Sequence, residues 1–160
     1  DFLTELLKLA KENNINTAID TSGIVFSQQK DFLKKFDTLM KYTDLILLDI
    51  KEMDSKRHKI ITGHDNHNVL EMAKYLSQMN KPVWIRHVLV PEYSDFDDDL
   101  KQLSEFIEKL DNVKKVEVLP YHSLGAFKWK TLGMPYDLEN ISPPKKERIE
   151  NAERILKIRE

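Results

Sequence analysis

The feature that most constrains the fold is a regular alternation of helical and strand patterns along the chain. Several stretches carry apolar residues at three- and four-residue spacing, most clearly 100–110, and this spacing is typical of amphipathic helices. Short runs rich in Ile, Leu and Val, bounded by turn residues, lie between them and predict strands. The predicted helices cover about 1–13, 29–41, 68–79, 97–110 and 144–158, with a minor helix at about 54–61. The predicted strands cover about 16–20, 44–49, 83–90 and 116–119.

Strands that are separated by helices predict βαβ units and therefore a parallel sheet in an α/β fold. The 160 residues contain no repeat, low-complexity tract or linker, so we expect a single domain over 1–160. About four parallel strands with flanking helices fit either part of an incomplete barrel or an open doubly wound sheet, and the pattern alone does not choose between them.

The amino-acid composition argues against several classes of binding partner and cofactor. A net charge of −2 without a basic block argues against nucleic acid. The longest apolar runs are too short to span a membrane, and the N-terminus has no signal-peptide pattern, so we expect a cytoplasmic protein. The absence of cysteine excludes disulfides and any cysteine-held zinc or iron–sulfur site within these residues. The chain lacks an initiator Met and opens within a helical pattern, so we expect a fragment.

Polar residues follow the predicted strands at the edge where parallel α/β folds bind ligands. Asp20, Thr21 and the following Ser-Gly end the first strand; they offer a carboxylate and hydroxyls, or simply form a turn that caps the next helix. Leu47, Asp49 and Lys51 are spaced two apart and face the same side. The acid and base there suit a zwitterion or a metal, or else form a partly exposed ion pair.

Two further residues come from the later strands. Arg86 lies inside the apolar run 83–90, where a guanidinium needs a partner. That partner is either a ligand carboxylate or ribose, or an internal carboxylate of Asp20 or Asp49. His122 ends the last strand and is either a ligand contact, base or stacking group, or a surface-loop histidine.

The ordered set of motifs resembles one family over nearly the whole chain. The similarity is to radical S-adenosylmethionine activating enzymes of the pyruvate formate-lyase type. Its motifs are Asp20-Thr21-Ser22-Gly23, Leu48-Asp49-Ile50-Lys51, Thr62-Gly63, Trp84-Ile85-Arg86, Leu119-Pro120-Tyr121-His122 and Pro143-Pro144-Lys145-Lys146.

The resemblance implies an incomplete (β/α)6 barrel and a radical reaction. In this family three cysteines of a CxxxCxxC loop hold a 4Fe–4S cluster, whose open iron binds S-adenosylmethionine. Reductive cleavage yields a 5′-deoxyadenosyl radical, which abstracts hydrogen from a glycine of pyruvate formate-lyase. The implied partners are that lyase and flavodoxin or a similar electron donor.

The resemblance also implies roles for individual residues. Asp20, Thr21, Asp49 and the backbone carbonyl of Leu47 are expected to hold a monovalent cation, for which hard oxygen ligands are suited. Asp49, Lys51, Arg86 and His122 are expected to bind S-adenosylmethionine. No residue of this chain is expected to be catalytic.

One departure from the family is serious, because the chain has no CxxxCxxC segment. We therefore expect these residues alone to be inactive, with an exposed apolar surface on the barrel side where the first strands belong. Two other interpretations remain: a non-enzymatic nucleotide-binding or interaction module with a degenerate pocket, and a hydrolytic enzyme that uses Asp20 or Asp49 with magnesium. His58, His64 and His67 are expected at the surface.

Overall fold

The computed structural model describes residues 2–158, and within this range it shows a four-stranded parallel sheet flanked by helices. The strands are β1 (Ala18–Thr21), β2 (Leu45–Asp49), β3 (Val83–Leu89) and β4 (Val113–Pro120). The helices are α1 (Phe2–Glu12), α2 (Lys30–Lys41), α3 (Ser55–Thr62), α4 (His67–Gln78), α5 (Asp97–Ile107), α6 (Ala126–Thr131) and α7 (Lys146–Ile155), with a 3₁₀ turn at Ser123–Gly125 before α6.

The strand order in the sheet is β1-β2-β3-β4, the same as the order along the chain. Every crossover therefore moves in the same direction, and right-handed parallel crossovers then place the intervening helices on one face. A doubly wound sheet would instead reverse its order at a switch point. The arrangement is that of part of a (β/α) barrel, so the predicted α/β fold class is confirmed.

The two faces of the sheet differ in burial. On the face covered by helices, Ile46, Leu48, Ile85 and Leu89 are fully buried and pack with α2, α4, α5 and α7. The alternate positions, such as Leu47 and those two apart from it along β2, are only half-buried. We call this second side the open face, and it corresponds to the inside of a barrel.

The side of the sheet at β1 is unpaired and is bordered by exposed apolar residues. β1 is an edge strand, and α1 beside it leaves Phe2, Leu6 and Leu9 exposed. A groove of about 940 Å³ runs between α1, β1 and α2. The exposed apolar surface that was expected on one side of the sheet is therefore present among the described residues.

The predicted elements match the structure except near β4. β4 begins at Val113 rather than at about 116. The start of this edge strand was not predicted because the charged pair Lys114 and Lys115 interrupts the apolar pattern that marks a strand. Helix α6 was not predicted, because its apolar side chains are largely exposed and leave no stripe. Within residues 2–158 no helix is both long and apolar enough to cross a bilayer.

Candidate functional site

The strand register places the predicted charged residues together on the open face. Asp20 pairs with Leu47 across β1 and β2, and Asp49 pairs with Arg86 across β2 and β3. Residues that pair across parallel strands point to the same face, and residues two apart on one strand do so as well. Asp20, Asp49 and Arg86 therefore meet at the carboxyl ends of three neighbouring strands.

Arg86 joins the two carboxylates. Its Nε donates a hydrogen bond of 2.8 Å to Asp49 Oδ1, and its Nη2 forms ion pairs with both Asp49 and Asp20. Burial opposes the charge of Arg86, but the hydrogen bonds that it donates to Asp20 and Asp49 outweigh burial and raise the guanidinium pKa. In the described structure, the half-buried guanidinium thus has the internal partners that the sequence left as one of two alternatives.

Lys51 completes a charge-balanced network. Its Nζ lies 2.7 Å from Asp49 Oδ2, so one carboxylate holds Lys51 and Arg86 through its two oxygens. The side chains of Asp49 and Arg86 are 15% and 17% exposed, whereas that of Asp20 is 60% exposed. Asp49, Lys51 and Arg86 are therefore half-buried and Asp20 is exposed, so a charged ligand can reach the network and exchange for an internal partner.

Thr21 points away from this network. It pairs with Leu48, which belongs to the helix-covered face, and its Oγ1 accepts a 3.0 Å hydrogen bond from the backbone N–H of Gly23. The hydroxyl is therefore on the opposite face from the Asp20 carboxylate. Leu47 lies on the open face between Asp20 and the next strand. Its predicted role, like that of Thr21, concerns a cation and stays a prediction.

His122 lies just beyond the end of β4, at the same carboxyl edge of the sheet. It is exposed and extended, with φ −143° and ψ 148°, and its side chain does not cap the turn that follows. Tyr121 anchors the segment, because its buried hydroxyl hydrogen-bonds Tyr136 at 2.7 Å and its N–H donates to Leu89 O. This bond to Tyr136 raises the pKa of Tyr121 to about 12. The ion pairs around Arg86 do not include His122.

A second charged cluster, which the sequence did not predict, lies behind the site. Arg57 on α3 forms an ion pair with Asp99 on α5, lies 3.5 Å from Glu52 and stacks on the Phe96 ring at 5.3 Å. Burial is the main cause that raises the pKa of Glu52. Asp99 is far from Glu52 and Arg57 in the sequence, so the cluster becomes visible only in the fold, which brings α3 and α5 together.

The prediction for His58 was wrong, because this residue is buried. Its Nδ1 lies 2.7 Å from His64 O and near the Thr62 hydroxyl, so it closes the turn after α3. The neighbouring Lys56 and Lys59 had suggested a surface position. His64 and His67 are exposed, and among the residues in the range 2–158 no group of three or more His, Cys, Asp or Glu side chains is arranged to hold a metal ion.

Comparison with known proteins identifies relatives over nearly the whole chain. A pyruvate formate-lyase-activating enzyme of Streptococcus mutans is 50% identical over 156 residues, which are 98% of this chain and 59% of the relative. One from Staphylococcus epidermidis is 52% identical over 155 residues, covering 97% and 62%. The chain thus spans about three fifths of the length of these curated relatives.

Solved structures show the same fold. A domain of a pyruvate-formate lyase-activating enzyme from Bacteroides vulgatus superimposes with a TM-score of 0.77 at 24% identity, over 98% of this chain and 84% of that one. A radical SAM methyltransferase from Sphaerobacter thermophilus gives 0.61 at 16% identity, over 91% and 39%. A family profile described as the Radical SAM superfamily matches residues 1–107. The chain therefore belongs to the radical SAM superfamily, as its motifs predicted, and it resembles pyruvate formate-lyase-activating enzymes over almost its whole length.

Proposed function

We propose that this chain is the S-adenosylmethionine-binding portion of an enzyme that activates pyruvate formate-lyase by forming a glycyl radical on it. The observation that carries the proposal is the network of Asp20, Asp49, Lys51 and Arg86 on the open face. The names of the relatives supply the substrate class. The geometry supplies a charged, half-buried site at the edge where this fold binds ligands.

The donor set suits S-adenosylmethionine. The methionine part of this cofactor carries a carboxylate, which Lys51 and Arg86 can bind, and an ammonium group, which suits the carboxylate of Asp49. His122 at the same edge offers an imidazole to hydrogen-bond or stack on the adenosine part. When bound, S-adenosylmethionine supplies the radical chemistry of the superfamily, and the residues of this chain bind and orient it.

A monovalent cation is the second part of the proposal. Asp20 on β1 and Asp49 on β2 both bind the Arg86 guanidinium, and the Leu47 carbonyl belongs to β2, the strand that carries Asp49. In the unliganded arrangement Arg86 neutralises both acids. A cation held by Asp20, Asp49 and the Leu47 carbonyl would take over that role and release Arg86 towards the cofactor. Cation binding and cofactor binding should therefore be cooperative. Thr21, whose hydroxyl lies on the opposite face, would join these ligands only if the segment after β1 rearranges.

A 4Fe–4S cluster does not fit these residues, because the sequence contains no cysteine. We derive no step through it and expect no cofactor cleavage by this chain alone. In the complete enzyme we propose a cluster held by a CxxxCxxC segment, with flavodoxin or a similar protein as electron donor. We also propose a cytoplasmic location for that enzyme.

Isothermal titration calorimetry of S-adenosylmethionine into this chain tests the proposal. We expect measurable binding that strengthens when potassium or sodium replaces a bulky organic cation. Lys51→Ala and Arg86→Lys should each weaken binding by about tenfold, since each loses a charge-assisted contact. Lys101→Ala, at an exposed lysine on α5, is the matched control and should bind like the wild type. No binding in any salt, or equal losses in all three variants, would contradict the proposal.

The alternative of a non-enzymatic binding module makes a different prediction. Adding a segment that carries CxxxCxxC in trans should restore cofactor cleavage and lyase activation if the chain is part of an activase. A module with a degenerate pocket would bind the nucleotide but would stay inactive under reducing, anaerobic conditions. Spectroscopic detection of a glycyl radical on pyruvate formate-lyase distinguishes the two.

A further inference from the structure

Lys51 lies in a segment that follows β2 and is not part of the sheet. β2 ends at Asp49, and the last ladder bond runs from the Ile50 N–H to Arg86 O at 3.0 Å. Residues 51–54 then cross to α3 without regular structure. A lysine in such a segment holds a fixed position only if other groups bind the backbone around it.

Buried side chains provide those groups. At the far end, the Asn66 side-chain amide donates to Glu52 O at 3.1 Å and to Met53 O at 2.7 Å. At the near end, His87 Nδ1 lies 2.9 Å from the carbonyl oxygen of Ile50, the residue directly before Lys51. The loop is thus held on both sides of Lys51 by polar groups that water does not reach.

His87 also holds the neighbouring loop. Its Nε2 lies 2.8 Å from the Ser94 carbonyl oxygen, and the Ser94 hydroxyl donates to Val88 O at 2.6 Å. The imidazole therefore joins the segment after β2 to the turn after β3, directly beneath the face that carries Arg86. Both ring nitrogens face carbonyl oxygens, so a protonated ring donates to both loops, whereas a neutral ring hydrogen-bonds one carbonyl and packs against the other.

Burial and hydrogen bonding act on the His87 imidazole in opposite directions. The side chain is only 3% exposed, and burial lowers its pKa, whereas the carbonyl oxygens of Ser94 and Ile50 oppose that decrease. The charged groups that face it are Lys51, which adds to this decrease, and Asp99 on α5, which opposes it.

We propose that His87 is a positioning residue that fixes the direction of Lys51 through the Ile50 carbonyl. The inference rests on the proposed function, in which Lys51 binds the cofactor carboxylate. His87 does not itself reach the open face, because it alternates with Arg86 along β3 and points to the helix-covered side.

A double-mutant cycle on cofactor affinity tests this coupling. His87→Phe should weaken S-adenosylmethionine binding about three- to tenfold, and Lys51→Ala about tenfold. The double variant should bind no worse than Lys51→Ala, because His87 has nothing left to position. His58→Phe is the matched control, a second buried histidine whose contacts are with the turn after α3, and its effect should be independent of Lys51. Multiplicative losses for His87 would overturn the inference.

A second measurement needs no cofactor. Amide hydrogen exchange at Ile50, whose N–H donates to Arg86 O, and at Asp54, whose N–H donates to Glu52 Oε1, should speed up by about tenfold or more in His87→Phe and stay unchanged in His58→Phe. If His87→Phe does not fold, His87→Gln, which keeps one side-chain donor, takes its place and should give a smaller change of the same sign. If the wild type binds no cofactor, the proposed function fails, and exchange at Ile50 and Asp54, on either side of Lys51, alone decides the positioning role. Unchanged exchange there would refute it.

Discussion

The charge on Asp49 should stabilise the fold measurably, and Asp49→Asn isolates that charge. The asparagine has nearly the same shape and keeps an oxygen that can accept from Arg86 Nε, but it loses the charge that assists two bonds of 2.8 and 2.7 Å. A charge-assisted bond is worth about 1.5–3 kcal/mol, roughly twice a neutral one. The bond from Arg86 loses about half of its value, and the bond from Lys51 is lost because the asparagine NH2 group cannot accept it; less the relief of no longer burying a carboxylate, the net loss is about 1–2 kcal/mol.

Urea denaturation followed by circular dichroism measures this loss. For a chain of this length, about 1–2 kcal/mol corresponds to a decrease in the melting temperature of roughly 2–8 °C. The control is Asp98→Asn, which removes an ion pair to Lys101 in which both side chains are largely exposed. That variant should lose less than about 0.5 kcal/mol. Equal losses in the two variants would show that the network on the open face contributes nothing beyond an ordinary surface pair.

Two other changes follow from the backbone and from a buried acid. Because burial raises the pKa of Glu52 above 4.5, the folded state holds this proton more tightly, and the free energy of unfolding should fall as the pH rises through the window just above 4.5. Glu52→Gln should remove that part of the pH dependence of stability. Identical curves for the variant and the wild type would contradict the assignment. Gly23 has φ +71°, and an added Cβ would lie 3.1 Å from Leu48 and 3.2 Å from Met72, so Gly23→Ala should cost about 2 kcal/mol or more by thermal denaturation. Gly125→Ala, with open space around the added Cβ and a φ of −86°, should be neutral or slightly stabilising, and a similar cost there would refute the steric argument.

Much of the fold was predictable, because β2 and β3 carry the pattern of strands buried on one face. Ile46 and Leu48 alternate with Leu47 and Asp49, and this spacing alone placed Asp49 and Lys51 on one side. β4 was harder to predict, since an edge strand with exposed lysines lacks the apolar run that marks a central strand. Strand order could not be read from the pattern, because it depends on crossovers rather than on any single residue.

The sequence predicted which kinds of side chain form the site, but it did not predict which of them bind one another. A guanidinium inside an apolar strand had to be neutralised, and the sequence named Asp20 and Asp49 as candidates. Which acid it reaches depends on strand register and side-chain length, and the structure shows both. His87 was missed as a supporting residue, since its contacts are to backbone carbonyls that have no signature in sequence.

The agreement between strand order and chain order has a consequence for biosynthesis. Each strand docks beside the one made just before it, so no strand has to wait for a distant later segment to find its neighbour. On the ribosome, the sheet should therefore grow by one βα unit at a time as the chain emerges. Until the next strand arrives, the edge of the most recently added strand stays unpaired, and a chaperone should bind the growing chain most strongly during these intervals.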